Sequence, residues 1–142
     1  MPWLPKTHVV VPVDFSDESI QAVDTALELV ESPARVHAIH VLPILAATEP
    51  GVIWDTVDDA GRKEHAEQAL QQRLAGERYA GIDIVVTIGD PGEEISDFAQ
   101  SIQAELIVMP SHGRTGISRL LIGSVAERVM RLAHCPVLVL KS

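Results

Sequence analysis

Short apolar runs alternate with longer amphipathic stretches along almost the whole chain. Residues 8–13, HVVVPV, are apolar at nearly every position, the pattern of a strand covered on both faces. Comparable runs recur at 35–42 (RVHAIHVL), 82–88 (IDIVVTI), 105–109 (ELIVM) and 136–140 (PVLVL), so five strands are expected. The segments between them carry helical spacing. Over 17–31, Ile20, Val23, Ala26, Leu27 and Val30 form one stripe, with Ser16 as N-cap, acids Asp17 and Glu18 in the first turn, and Ser32-Pro33 as the stop. Over 58–76 a narrower stripe runs through Ala66, Ala69, Leu70 and Leu74. Near Gly89-Asp90-Pro91-Gly92 a turn opens a third helix. Asp90 can cap it, Pro91 suits the first helical position, Glu93 completes a capping box, and Ile95, Phe98, Ala99 and Ile102 form its buried face. A last helix is expected over 124–133, where Ser124-Val125-Ala126-Glu127 also reads as a capping box. Residues 44–57, with Pro50, Gly51 and Trp54, match neither period and are the kind of long segment that serves as a lid or edge.

Strands alternating with helices of this length predict an α/β domain built on a parallel sheet, and 142 residues without a repeat or low-complexity linker predict one domain over 1–142. Aromatic residues make up only 4%, so the core must be built from Val, Ile, Leu and Ala. The single cysteine, Cys135, leaves no internal disulfide and fits a reducing compartment, and the start MPWLPKTH lacks the pattern of a secretion signal; a cytoplasmic location is expected. No run is long and apolar enough for a membrane helix. A net charge of −9 argues against nucleic acid as a partner.

One segment opposes that average. From Ser111 to the end, Arg114, Arg119, Arg128, Arg131 and Lys141 face a single acid, Glu127. This basic stretch follows a strand, contains Gly113, Gly116 and Gly123, and feeds a helix N-terminus, an arrangement suited to a small anion such as a phosphate. Asp14 also follows a strand end. In an open sheet such ends meet a ligand where the strand order reverses, so Asp14 and the basic loop are eligible to share a crevice. Asp14 could serve a ribose hydroxyl, an adenine amino group or a metal, or simply sit near the first helix. His112 suits a hydrogen bond within its loop, a contact to a phosphate or an acid/base role. His37 and His40 fall on opposite faces of one strand and cannot chelate one metal. The chain lacks the GxxxxGK[ST] loop, GxGxxG after the first strand, a GxSxG elbow, kinase signatures and any spacing of metal ligands. No catalytic constellation emerges.

The opening VVVPVDFSDES and the tail SHGRTGISRLLIGSVAERVMRLAHCPVLVL together resemble the universal stress protein family, and the resemblance spans nearly the full chain. It implies an open five-stranded parallel sheet in order 3-2-1-4-5, helices on both faces, of the adenine nucleotide alpha hydrolase-like type. It also implies a homodimer made through the strand from Pro136 to Leu140, an edge that would otherwise invite aggregation. One branch of the family binds ATP or AMP, with Mg²⁺ able to accompany ATP, through G-x2-G-x9-G-[ST]. Gly113, Gly123 and Ser124 match its last three places, with Arg114 beside them; the first glycine's place holds Pro110. Proline there removes an N–H and fixes φ. By the same resemblance Pro12, Val13, Asp14, Val41, Met109 and Val125 fall at nucleotide positions. The expectation is a regulatory, nucleotide-binding stress protein with an unidentified protein partner. A dimeric interaction protein that takes no nucleotide, favoured by Pro110, is the alternative; a slow ATPase is a weaker one.

Overall fold

A computed structural model describes residues 3–45, 58–111 and 122–141. The elements run β1 (Val9–Pro12), α1 (Asp17–Leu27), β2 (Val36–Leu42), α2 (Asp59–Arg73), β3 (Asp83–Ile88), α3 (Pro91–Ser101), β4 (Leu106–Pro110), α4 (Ser124–Leu132) and β5 (Val137–Leu140). The strands form one parallel five-stranded sheet in order β3-β2-β1-β4-β5. The near-continuous apolar runs are explained by cover on both sides. Val9, Val11 and Val36 face α1 and α2, whereas Val10, Ile39 and Ile107 face α3 and α4. All six are fully buried. Such period-two division of one strand between two cores is what a doubly covered sheet requires.

The helix starts follow from capping. Ser16 accepts from the Ser19 N–H, Asp58 from Gly61 and Asp90 from Glu93, each leading into the expected helix. Boundaries differ where tertiary partners intervene. The first helix, expected to reach residue 31, ends at Leu27 because the Lys6 N–H takes the Leu29 carbonyl at 2.8 Å and Lys6 bridges Val30. The second ends at Arg73 rather than 76. β4 runs one residue further than its apolar pattern indicated and includes Pro110, which pairs with Leu140.

The register opens the crevice. β1 and β2 stay paired through Pro12↔Ile39, β2 and β3 through Leu42↔Ile88, and β4 and β5 through Pro110↔Leu140. Between β1 and β4 the pairing covers only Val9↔Leu106 and Val10↔Ile107. The two central strands therefore part toward their C-terminal ends, at the point where strand order reverses and ligands bind in open sheets.

Candidate functional site at the parting of the central strands

A cleft of about 260 Å³ fills that parting. Of the residues nominated from sequence, Pro12, Val13, Asp14, Val41, Met109, Pro110, Gly123, Ser124 and Val125 all line it. They come from the ends of β1, β2 and β4 and the first turn of α4. Gly113, Arg114 and His112 lie outside the described residues, as do residues 46–57 of the expected lid. The cleft is also lined by Ser19, Ile39, His40, Pro91, Ile95, Ser111 and Ala126, which sequence reasoning did not nominate. Some signal for them was available. Ile39 lies two residues before Val41 on the same strand face, and Pro91 opens the helix that follows the neighbouring strand.

The β1 crossover is tightly built. Asp14 Oδ1 accepts from the Ser16 N–H at 3.1 Å and from the Ser16 hydroxyl at 2.5 Å. Ser16 in turn caps α1, so one residue ties the cleft acid to the helix start. Phe15 between them has φ +68°, a left-handed conformation unusual for a bulky residue and a local strain held by this network. The Val13 N–H donates to Ile39 O at 2.8 Å, and Val13 O accepts from His40 Nδ1 at 2.6 Å. This bond leaves the Nε2 side of the His40 imidazole as its second polar position, while its ring meets Phe15 edge-on at 4.9 Å.

The α4 entrance departs from the capping-box expectation. Gly123, not Ser124, is the N-cap; the Glu127 N–H donates to Gly123 O at 3.0 Å, and the Glu127 carboxylate pairs with Arg131 four residues on. The reason is a long-range bond: the Gly123 N–H donates to Ser111 O at 2.6 Å and pins the chain one residue earlier. Gly123 therefore lines the cleft with its donor already engaged. The donors left at the helix start are the N–H groups of Ser124, Val125 and Ala126, which no side chain among the described residues caps. Ser124, as the first helical residue, also carries its hydroxyl at the exposed mouth.

Pro110 can be placed in the ladder. Ile107 and Ser111 donate to Pro136 O and Leu140 O of the β5 side, at 3.0 and 2.9 Å. Alternate residues of a parallel strand bond opposite neighbours, so position 110 turns its nitrogen toward β1, beyond the last β1–β4 pair. The proline thus costs the sheet no hydrogen bond, and the N–H it lacks would have faced the cleft.

Opposite α4, the start of α3 carries a charged clamp. Arg128 Nε donates to Asp90 Oδ2 and its Nη2 to Glu93 Oε1, both at 2.9 Å. The Glu93 N–H bond and the Arg128 fork hold the Asp90 carboxyl below the ordinary carboxylate range, and the Asp90 bond raises the Arg128 guanidinium. Glu93 was expected to close a capping box, but its carboxylate serves Arg128. The strand histidines separate as expected. His40 lies by Phe15, and His37 lies on the α3 side with Nδ1 2.7 Å from Asp83 Oδ2 and Nε2 3.1 Å from His8 Nδ1. Among the described residues no group of three or more His, Cys, Asp or Glu could hold a metal ion, and no helix is long and apolar enough to cross a membrane.

A parallel sheet in this order, covered by helices on both faces and parted at its switch point over a helix start, defines an α/β protein of the nucleotide alpha hydrolase-like class. The universal stress protein family model matches residues 6–141, and the chain belongs to that family. Universal stress protein MJ0531 of Methanocaldococcus jannaschii is 40% identical over 139 residues, covering 94% of this chain and 81% of the relative. Among solved structures, the universal stress protein UspA of Lactobacillus plantarum superposes with a TM-score of 0.74 at 28% identity, over 95% of this chain and 97% of that one. A universal stress protein of Archaeoglobus fulgidus, solved in complex with dAMP, superposes with a TM-score of 0.55 at 25% identity, over 97% of this chain and all of that one.

Proposed function

We propose that this protein binds an adenine nucleotide, ATP or AMP, in the cleft between β1 and β4 and acts as a regulatory stress-response module. The observation that carries the reading is the convergence of the ends of β1, β2 and β4 on one cleft beside the α4 start, whose main-chain donors no described side chain caps. Asp14 and the Val41 strand end would hold the nucleoside, and Ser124, Val125 and Ala126 would offer N–H groups and the positive end of α4 to phosphates. Gly113 and Arg114 would join them from the loop, and Mg²⁺ would accompany ATP. A cavity of about 260 Å³ suits a nucleoside whose phosphates extend over the helix start. The dAMP complex of the Archaeoglobus relative supports the ligand class. The reading is binding and signalling rather than turnover, as a cytoplasmic homodimer joined through β5.

Calorimetry with Mg-ATP and with AMP tests it. Saturable heat is expected below millimolar nucleotide, and loss of that heat in Gly123→Val. Absence of heat for both ligands at millimolar concentration overturns it. The second reading, a dimeric interaction protein of this fold without nucleotide, is favoured by Pro110, whose missing N–H faces the cleft. Mass spectrometry of small molecules retained through gentle purification separates the two.

A further inference from the structure

Arg128 does not line the cleft, yet it stands between the two helix starts that do. It lies four residues after Ser124, so the two share one face of α4, a single turn apart. On the facing helix, Asp90 directly precedes Pro91, a cleft residue. Gly92 makes the contact close. A Cβ built there would fall 2.5 Å from Arg128 Cγ and 2.8 Å from Cδ, so the arginine stem lies where any other residue would carry a side chain. The guanidinium then forks onto Asp90 and Glu93. Two acids thus flank Pro91 and Gly92 at the start of α3, outside the cleft lining but on the helix whose Pro91 and Ile95 form its wall, and Arg128 is bonded to both in a chain of net charge −9.

We propose that Arg128 is a positioning residue for the phosphates, neutralising Asp90 and Glu93 beside the anion's seat, so that its contribution to affinity grows with the number of phosphates on the ligand. The inference rests on the nucleotide reading above and deepens it. A carboxylate pair left unneutralised at that helix start repels a polyanion in the neighbouring cleft and leaves an uncharged nucleoside indifferent. The repulsion is screened at high salt. Gly92 belongs to the same device, because a side chain there displaces the stem and opens the fork.

The test compares ATP, AMP and adenosine by calorimetry at low salt. Arg128→Met keeps the stem and removes the charge. It is expected to weaken ATP at least fivefold, AMP less, and adenosine by under twofold, with the ATP loss shrinking in 0.5 M salt. Arg128→Lys keeps the charge and is expected to retain most of the ATP affinity. The triple variant Arg128→Met, Asp90→Asn, Glu93→Gln removes all three charges and is expected to bring ATP back to the wild-type level or above. An Arg128→Met that weakens ATP and adenosine equally, or a triple variant that stays weak, reduces Arg128 to scaffolding and overturns this inference while the nucleotide reading stands. A wild type that binds neither ATP nor adenosine overturns both.

Discussion

At the level of single residues, Pro110 and the His8–His37–Asp83 chain carry the sharpest expectations. Pro110 occupies the last position of β4 with its nitrogen turned toward the parted β1. Pro110→Gly restores a donor there. A hydrogen bond to a charged phosphate contributes about 1.5 kcal/mol or more, so ATP affinity is expected to rise about tenfold. Calorimetry that finds no gain would mean the missing N–H is not used by the ligand. At the other end of the sheet, burial, then His37 and Arg35, lower the pKa of His8, with Glu105 acting weakly the other way. Between its lowered folded value and 6.5 the unfolded chain binds more protons than the folded one. Stability from this group is present above pH 6.5 and is lost as the pH falls through the folded value. Urea midpoints are therefore expected to drop on acidification through this window, and the drop should be smaller in His8→Gln. An equal drop in both proteins would assign the acid sensitivity elsewhere.

At the level of elements, the start of α4 separates two descriptions of one peptide. A capping serine at 124 would make Ser124→Ala cost about 1 kcal/mol. With Gly123 at the cap and Ser124 inside the helix, the cost is expected to stay within about 0.5 kcal/mol, while nucleotide affinity falls. Ser16 behaves oppositely. It caps α1 and holds Asp14, so Ser16→Ala is expected to cost about 1 kcal/mol in denaturant unfolding and to weaken the nucleoside as well. Unchanged stability in Ser16→Ala would remove it from the capping role. Both serines precede helical stripes in the sequence and look alike there. What distinguishes them is the Ser111–Gly123 bond, a contact between chain segments that local patterning does not contain.

At the level of the whole molecule, β5 is an edge of the sheet among the described residues. Pro136 O and Leu140 O face β4, so alternation turns the N–H of Val139 outward. If two copies join through this edge, Val139→Pro removes a bridging donor while sparing the ladder to β4. Light scattering is expected to show a dimer for the wild type and a shift toward monomer for the variant. A wild-type monomer at high concentration would overturn the dimer.

Local patterning by itself determined the number and chain order of strands and helices, the parallel class of the sheet, and the caps Ser16 and Asp90, because each is written in short stretches of neighbouring residues. The strand order followed only from family resemblance, since periodicity does not say which strand lies beside which. Tertiary structure decided the rest. It put Pro110 inside β4, moved the α4 cap to Gly123, ended α1 at Leu27, drew His40 and Ile39 into the cleft, and laid Arg128 across Gly92. In each case the deciding partner comes from a distant part of the chain, and such hydrogen bonds and steric contacts exist only after the sheet has closed and its central strands have parted.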